Sequence, residues 1–158
     1  MRFRILMLTA ALLLTAQSGA QELHLGGSYT AKWQNDRPNV INGSINGPVE
    51  QRWTGNFTTD WKGRDRQFTG FFLSETMTAG PIRGDFYMHK EYGRGRRFLF
   101  VVSPEADASK LTGRWLEIKK KDDIYQLPPE QIEQALWQQI AEQAPEKQFV
   151  QFILKTGP

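Results

Sequence analysis

The chain has 158 residues with a formal net charge of +3, is 39% hydrophobic, and contains no cysteine. Disulfides, thiolate metal ligands and lipid-modified cysteines are therefore excluded. This length suits one domain with a sizeable core, and the weak net charge argues against nucleic acid as a partner.

Residues 1–20 have the layout of a cleavable secretory signal. Two arginines precede an apolar run over 5–16, and the small residues Ser18 and Ala20 follow it. A membrane anchor is the alternative, but about 20 apolar residues are needed to cross a bilayer, and this run is shorter. We expect cleavage after Ala20 and a periplasmic or secreted chain, 21–158, without a transmembrane segment.

Charge is unevenly distributed along the expected mature chain. Residues 21–121 carry 16 basic and 11 acidic groups, whereas residues 122–158 carry 2 and 6. This asymmetry indicates either attraction within the molecule or two surfaces with different partners.

A glycine followed two residues later by an aromatic residue recurs along the chain. In an extended strand both members lie on the same face, and the backbone can bend at the glycine. The device therefore predicts a curved antiparallel sheet. Its five copies are Gly27/Tyr29, Gly55/Phe57, Gly70/Phe72, Gly84/Phe86 and Gly113/Trp115.

The first half of the chain alternates between apolar and polar residues in three segments. Residues 25–34, 53–61 and 67–74 each show the period of two that is typical of half-buried strands. Between the first two, Val40 to Val49 contains two Asn-Gly pairs, which tolerate positive φ, so we expect a loop or a short irregular hairpin there. A polar turn over 62–66 joins the second segment to the third.

The second half continues with three predicted strands. Residues 82–89 alternate, with Arg83, Asp85, Tyr87 and His89 on the polar outer face. Glycine-rich residues 93–97 are predicted to turn. Residues 98–102 are apolar on both faces, and 111–118 form the next strand.

A helix and a last strand are predicted near the end. Pro128 and Pro129 form a helix start, and apolar residues follow at helical spacing until Pro145, so the helix is expected over about 129–144. Residues 148–155 are rich in Phe, Val and Ile and predict a strand that closes or extends the sheet.

These elements together predict a mainly β fold. We expect a single antiparallel up-and-down β-barrel of seven to nine strands with one late α-helix followed by a terminal strand. The architecture is similar to that of lipocalins, fatty-acid binders and streptavidin, and this resemblance concerns the fold alone.

The inward-facing aromatic residues are the first candidate binding site. In a barrel of this size such rings either fill the interior or line a pocket for one apolar molecule. The glycines beside them remove side-chain volume, which favours a pocket, while a plain packed core is the alternative. The candidate ligand-binding residues are Trp33, Trp53, Phe57, Phe72 and Phe86.

A cluster of arginines is the second candidate. Arg94, Arg96 and Arg97 lie in the predicted turn, where guanidinium groups would bind the carboxylate or phosphate of an anionic amphiphile or an acidic envelope protein. A solubilising turn is the alternative. Trp137 on the helix either widens its buried stripe or anchors a partner.

Catalytic chemistry has little support in the sequence. Asp85 and His89 on one strand face suggest an acid/base couple or part of a metal site. A solvated outer face with ordinary cross-strand pairs is the simpler explanation, and no nucleophile motif accompanies them. We therefore expect neither an enzyme nor a cofactor or metal. The expected function is binding of a small apolar or amphipathic molecule inside the barrel; the alternative is a protein-binding module of the cell envelope, an inhibitor, immunity or assembly factor, with a solid barrel.

Overall fold

The structure is a computed structural model that describes residues 23–34, 40–60, 64–74, 80–90, 93–105, 109–142 and 149–155. The predicted signal segment, 1–20, lies outside the described residues. The strands are β1 (Gly27–Gln34), β2 (Val40–Val49), β3 (Arg52–Asp60), β4 (Asp65–Leu73), β5 (Ile82–Lys90), β6 (Gly93–Pro104), β7 (Lys110–Ile118) and β8 (Phe149–Lys155). Two short 3-10 helices (Asp123–Gln126 and Pro129–Gln131) and the α-helix α1 (Gln134–Glu142) lie between β7 and β8.

The eight strands form a closed barrel in which each pairs antiparallel with its neighbour in the chain. β8 completes the ring by pairing with both β7 and β1, where Ser28 lies opposite Lys155. The predicted mainly β, up-and-down barrel with a late helix and a terminal strand is therefore confirmed.

Three details differ from the sequence-based prediction. Val40–Val49 is a strand paired on both sides, so the prediction of a loop there is wrong. Residues 93–97 begin β6, so the predicted turn is also wrong. The helix, Gln134–Glu142, begins five residues later than the expected 129, because the proline-rich start adopts 3-10 turns and extended backbone instead. Its expected end at 144 lies outside the described residues.

Alternation along the strands places the apolar residues inside the barrel. In β3, Trp53, Gly55, Phe57 and Thr59 are buried while the residues between them are exposed. Cross-strand pairing carries this inner face onto β4, since Phe57 lies opposite Phe68. The inner core therefore contains four of the five aromatic residues predicted to face inward, Trp53, Phe57, Phe72 and Phe86.

Rings occupy the volume that the glycines leave inside the barrel. A Cβ atom on Gly55 would lie 2.6 Å from the Phe86 ring, and one on Gly70 would lie 2.8 Å from the same ring. Phe86 also contacts Phe72, at 5.0 Å between ring centroids, and Phe100, at 5.7 Å in an edge-to-face arrangement. The glycines thus make room for neighbouring rings, as interior close packing requires.

The segment before β1 packs into one end of the barrel. Leu23 and Leu25 are buried, and the Tyr29 hydroxyl donates to the Leu25 carbonyl at 2.8 Å. Burial raises the pKa of Tyr29 above its usual value, because the ionised phenolate would be poorly solvated there.

We expect Tyr29→Phe to lower the free energy of unfolding by about 1 kcal/mol at neutral pH, through loss of one buried hydrogen bond. The stabilisation from keeping Tyr29 neutral is present below its unfolded pKa, about 10, and is lost as pH rises through the higher folded pKa. The variant should therefore lose less stability than the wild type at alkaline pH. Chemical denaturation at several pH values above 9 measures this difference, and identical pH profiles would contradict it.

A second core lies outside the barrel wall. Residues 119–142, which we call the strap, cross the outer face of β5, β6 and β7 and bury apolar side chains against it. The run over 98–102 is apolar on both faces because its outward residues meet this strap. The buried members are Leu99, Ile118, Tyr125, Ile132, Trp137 and Ile140. Within the described residues, every helix is too short to span a membrane.

Candidate functional site

The residues predicted to bind a ligand do not form one site. Trp53, Phe57, Phe72 and Phe86 are buried inside the barrel, each at most 3% exposed. Trp33 pairs with Val150 through its backbone. The side chains of Trp33 and Arg94 lie outside the described set.

The arginine cluster is divided between two environments. Arg96 is partly exposed and forms an ion pair with Glu117 at 3.4 Å. Its neighbour Arg97 is fully buried between the outer wall and the strap. The prediction that Arg97 faces a partner is therefore wrong, because strand alternation turns it toward the strap.

Arg97 binds the barrel wall and the strap at once. Its Nε and Nη2 atoms donate to the two carboxylate oxygens of Asp85, both at 2.8 Å. Nη1 donates to the carbonyls of Ile124 and Tyr125 at 2.9 and 3.0 Å. Burial alone would lower the pKa of Arg97, but the hydrogen bonds and charge of Asp85 outweigh it and raise that pKa. Arg97 is therefore a permanent cation that fastens the strap.

The ion pair between Arg97 and Asp85 also bears on the acid/base couple that the sequence suggested for Asp85 and His89. Both Asp85 oxygens bind Arg97, while the His89 ring contacts the Thr69 hydroxyl. The carboxylate and the imidazole thus have different partners and do not form an acid/base couple. Among the described residues no group of three or more potential metal ligands occurs.

Three further arginines join the wall to the strap. Arg52 binds Glu130, Arg83 binds the side-chain amide of Gln134, and Arg114 donates to the Ala141 carbonyl. Only one of these three contacts, that of Arg52 with Glu130, pairs a basic group of the wall with an acidic group of the strap.

The open surface beside α1 is the best candidate site. Two adjoining cavities of about 350 and 370 Å³ lie between α1 and the outer wall, and together we call them the groove. Pro81, Val101 and Ala141 line both. The first is also lined by Leu73, Gly80, Arg83, Gln134, Trp137 and Gln138, and the second by Ser103, Thr112, Gly113 and Arg114.

Strand register sets the floor of the groove. Arg83 pairs with Val101, and Val101 pairs with Arg114, so the three form one row across β5, β6 and β7. Two strand spacings separate the arginine Cα atoms by about 10 Å. From Gln134 to Ala141 α1 rises by about 10 Å as well. The helix therefore runs along the row, with its start near Arg83 and its end near Arg114.

The walls of the groove combine apolar and cationic groups. Trp137 is 2% exposed and its ring lies 5.4 Å from the Arg83 guanidinium carbon, a cation–π contact. Its indole nitrogen has no hydrogen-bond acceptor among the described residues. No carboxylate of a described residue lines either cavity. The groove is therefore apolar at its floor and positive at both ends.

The sequence carried only a partial signal for this site. The run over 98–102 is apolar on both faces, as a strand covered on its outer face requires, but the run does not identify what covers it. Which outward residues of β5, β6 and β7 lie side by side depends on the register between the strands, and that register is set by the turns that join them as well as by the pattern of each strand. The sequence marks Trp137 as a candidate partner anchor, but it does not show that the Arg83 guanidinium contacts the Trp137 ring.

Comparison of the chain with protein-family models, with curated proteins and with solved structures gave no match.

Proposed function

We propose that this protein is an exported, non-enzymatic binding protein that holds a small amphipathic molecule on the outer wall of its barrel. The groove beside α1 is the binding site, and the barrel is its solid scaffold. The observation that carries the proposal is the groove itself, an apolar floor bracketed by Arg83 and Arg114. Export rests on the signal-like residues 1–20.

Packing and dimensions support the outer site over an inner one. Inside the barrel the Phe86 ring contacts Phe57, Phe72 and Phe100 and occupies the space beside two glycines. Outside, the two cavities are open to solvent, and each exceeds the lower bound of about 300 Å³ for small-molecule pockets. A ligand in the groove displaces solvent rather than packed rings.

The titratable groups of the groove favour binding over catalysis. Within the described lining residues the only ionisable side chains are Arg83 and Arg114. A guanidinium stays protonated and cannot serve as a general base. It can, however, bind an anionic or polar group through its fixed donors.

A protein-binding module is the second candidate. The observation that favours it is the exposure of Gln134, Gln138 and Ala141, which present one side of α1 along the groove. An acidic partner segment would contact the same arginines.

We expect Ala141→Trp to block the groove, because Ala141 is exposed and lines both cavities. Binding of the neutral fluorescent probe N-phenyl-1-naphthylamine should weaken by about tenfold or more, as expected when a buried ring contact of the probe is lost. The unfolding midpoint should stay near that of the wild type. Fluorescence titration measures the affinity, and chemical denaturation measures the midpoint.

Thr58→Trp is the matched control, since Thr58 is exposed on the outer face of β3, away from the groove. It should leave probe binding unchanged. Wild-type protein that binds no probe would contradict a small-molecule function. Equal binding by wild type and Ala141→Trp would place the site elsewhere.

A further inference from the structure

We infer that the groove selects an anionic amphiphile and that Arg114 receives its headgroup, a carboxylate or a related oxyanion on an acyl-like chain. This inference rests on the proposed function and adds the charge of the ligand and its orientation. The headgroup lies in the cavity shared by Arg114, Ser103 and Thr112, and the apolar chain lies along Val101 toward Trp137.

The pairing of the wall arginines points to Arg114. Arg97 binds Asp85, Arg52 binds Glu130, and Arg96 binds Glu117. Arg114 donates to a neutral carbonyl, that of Ala141, and has no acidic partner among the described residues. A cation without a carboxylate at the end of an apolar groove is complementary to an anion from outside.

The polar groups around Arg114 match an oxyanion. The hydroxyl-bearing residues Ser103 and Thr112 line the same cavity and are partly exposed. Hydroxyl groups and a guanidinium together offer several donors, whereas a carboxylate or phosphate is rich in acceptors. No described carboxylate lines this cavity to repel an anion.

The other cavity matches an apolar chain. Leu73, Pro81 and Val101 contribute apolar surface to it. Because Val101 lies between the two arginines in the row, a chain anchored at Arg114 crosses apolar surface before reaching Arg83. Anion binding at one end and apolar contact along the floor are therefore compatible in one molecule.

The test compares three ligands with the same chain, used below the concentrations at which they form micelles. Decanoate is anionic, decanol is neutral and decyltrimethylammonium is cationic. Displacement of N-phenyl-1-naphthylamine from the wild type should show decanoate binding about tenfold tighter than decanol, as one charge-assisted hydrogen-bonded contact would give. The cation should bind most weakly, and added salt should weaken decanoate selectively.

Arg114→Gln should weaken decanoate binding until decanoate no longer binds more tightly than decanol. Arg114→Lys keeps the charge and should retain part of the preference. Arg52→Gln is the matched control, since it removes another contact between wall and strap at a residue that lines neither cavity, and it should keep the full preference. Arg52 pairs with Leu73 at the end of the row opposite Arg114. Near-UV circular dichroism of each variant checks that the strap remains docked.

The outcomes separate the inference from the proposed function. Equal binding of decanoate and decanol to the wild type would overturn the anion inference and leave the groove as a binding site. An undiminished preference in folded Arg114→Gln would overturn the headgroup assignment. Absence of binding by all three ligands and the probe would overturn both. If Arg114→Gln does not fold, Arg114→Lys and the salt dependence of the wild type decide the question.

Discussion

Replacing Arg97 with methionine is expected to lower the free energy of unfolding by about 3–5 kcal/mol, the usual cost of removing one partner of a buried ion pair. The substitution leaves the Asp85 carboxylate buried without its cation and the Ile124 and Tyr125 carbonyls without their donor. Total stability of a domain is only about 5–15 kcal/mol, so the variant should be close to unfolding. Chemical denaturation measures the loss.

The adjacent residue supplies the control for this substitution. Arg96→Met removes a partly exposed ion pair with Glu117, which contributes on the order of 0–1 kcal/mol. The double variant Asp85→Leu/Arg97→Met should recover much of the loss, because no buried charge is then left unpaired. A small effect of Arg97→Met, equal to that of Arg96→Met, would contradict the role of Arg97 in fastening the strap.

Phe86→Ala is the second substitution with a large expected effect, about 3–5 kcal/mol for a buried ring in a packed core. Phe86 is 3% exposed, contacts three other rings and lies beside Gly55 and Gly70, which cannot fill the space it leaves. Chemical denaturation gives the loss, and addition of benzene tests whether the vacated space is a dry cavity that an apolar molecule stabilises.

Phe71→Ala is the control, because Phe71 belongs to the same strand as Phe72 but faces outward and is only half-buried. There the loss should be about 1 kcal/mol, in line with a partly exposed side chain. If Phe86→Ala cost as little as Phe71→Ala, the barrel interior would be a ligand pocket rather than a packed core.

Most of the fold could be predicted because the strands are half-buried. A strand with one apolar and one polar face alternates between apolar and polar residues, and this alternation is visible in the sequence, as in residues 53–61. The prediction failed at β2 because Asn42-Gly43 resembles a turn although it lies within the strand. At the second pair, Asn46-Gly47, the backbone is irregular, with Gly47 at φ +124° and a shift in register between Asn46 and Val49. In the barrel, Gly43 provides space beside Phe57, because a Cβ atom on residue 43 would lie 2.7 Å from the Phe57 ring. A glycine used for packing and one used for turning look identical in sequence.

The site was less predictable than the fold, for a different reason. Arg96 and Arg97 are adjacent and chemically identical, yet one is partly exposed and the other is buried. Their difference comes from strand alternation plus a cover supplied by residues 119–142, far along the chain. The groove likewise joins residues from β5, β6, β7 and α1. A local sequence pattern describes the strand to which a residue belongs, whereas a site on the outer wall depends on which other segment of the chain packs against that strand.

The position of β8 has a consequence for the order of assembly. The first seven strands are neighbours both in the chain and in the sheet, so they can pair one hairpin after another as the chain extends. The pairing of β1 with β8 joins residues near 28 and 155. It can therefore form only once β8, which follows the strap in the chain, is available. Until then the free edges of β1 and β7 expose unpaired backbone groups, with which strands of other molecules can pair. Pairing of residues 149–155 therefore converts an open sheet, whose edge strands can pair with other molecules, into a closed barrel.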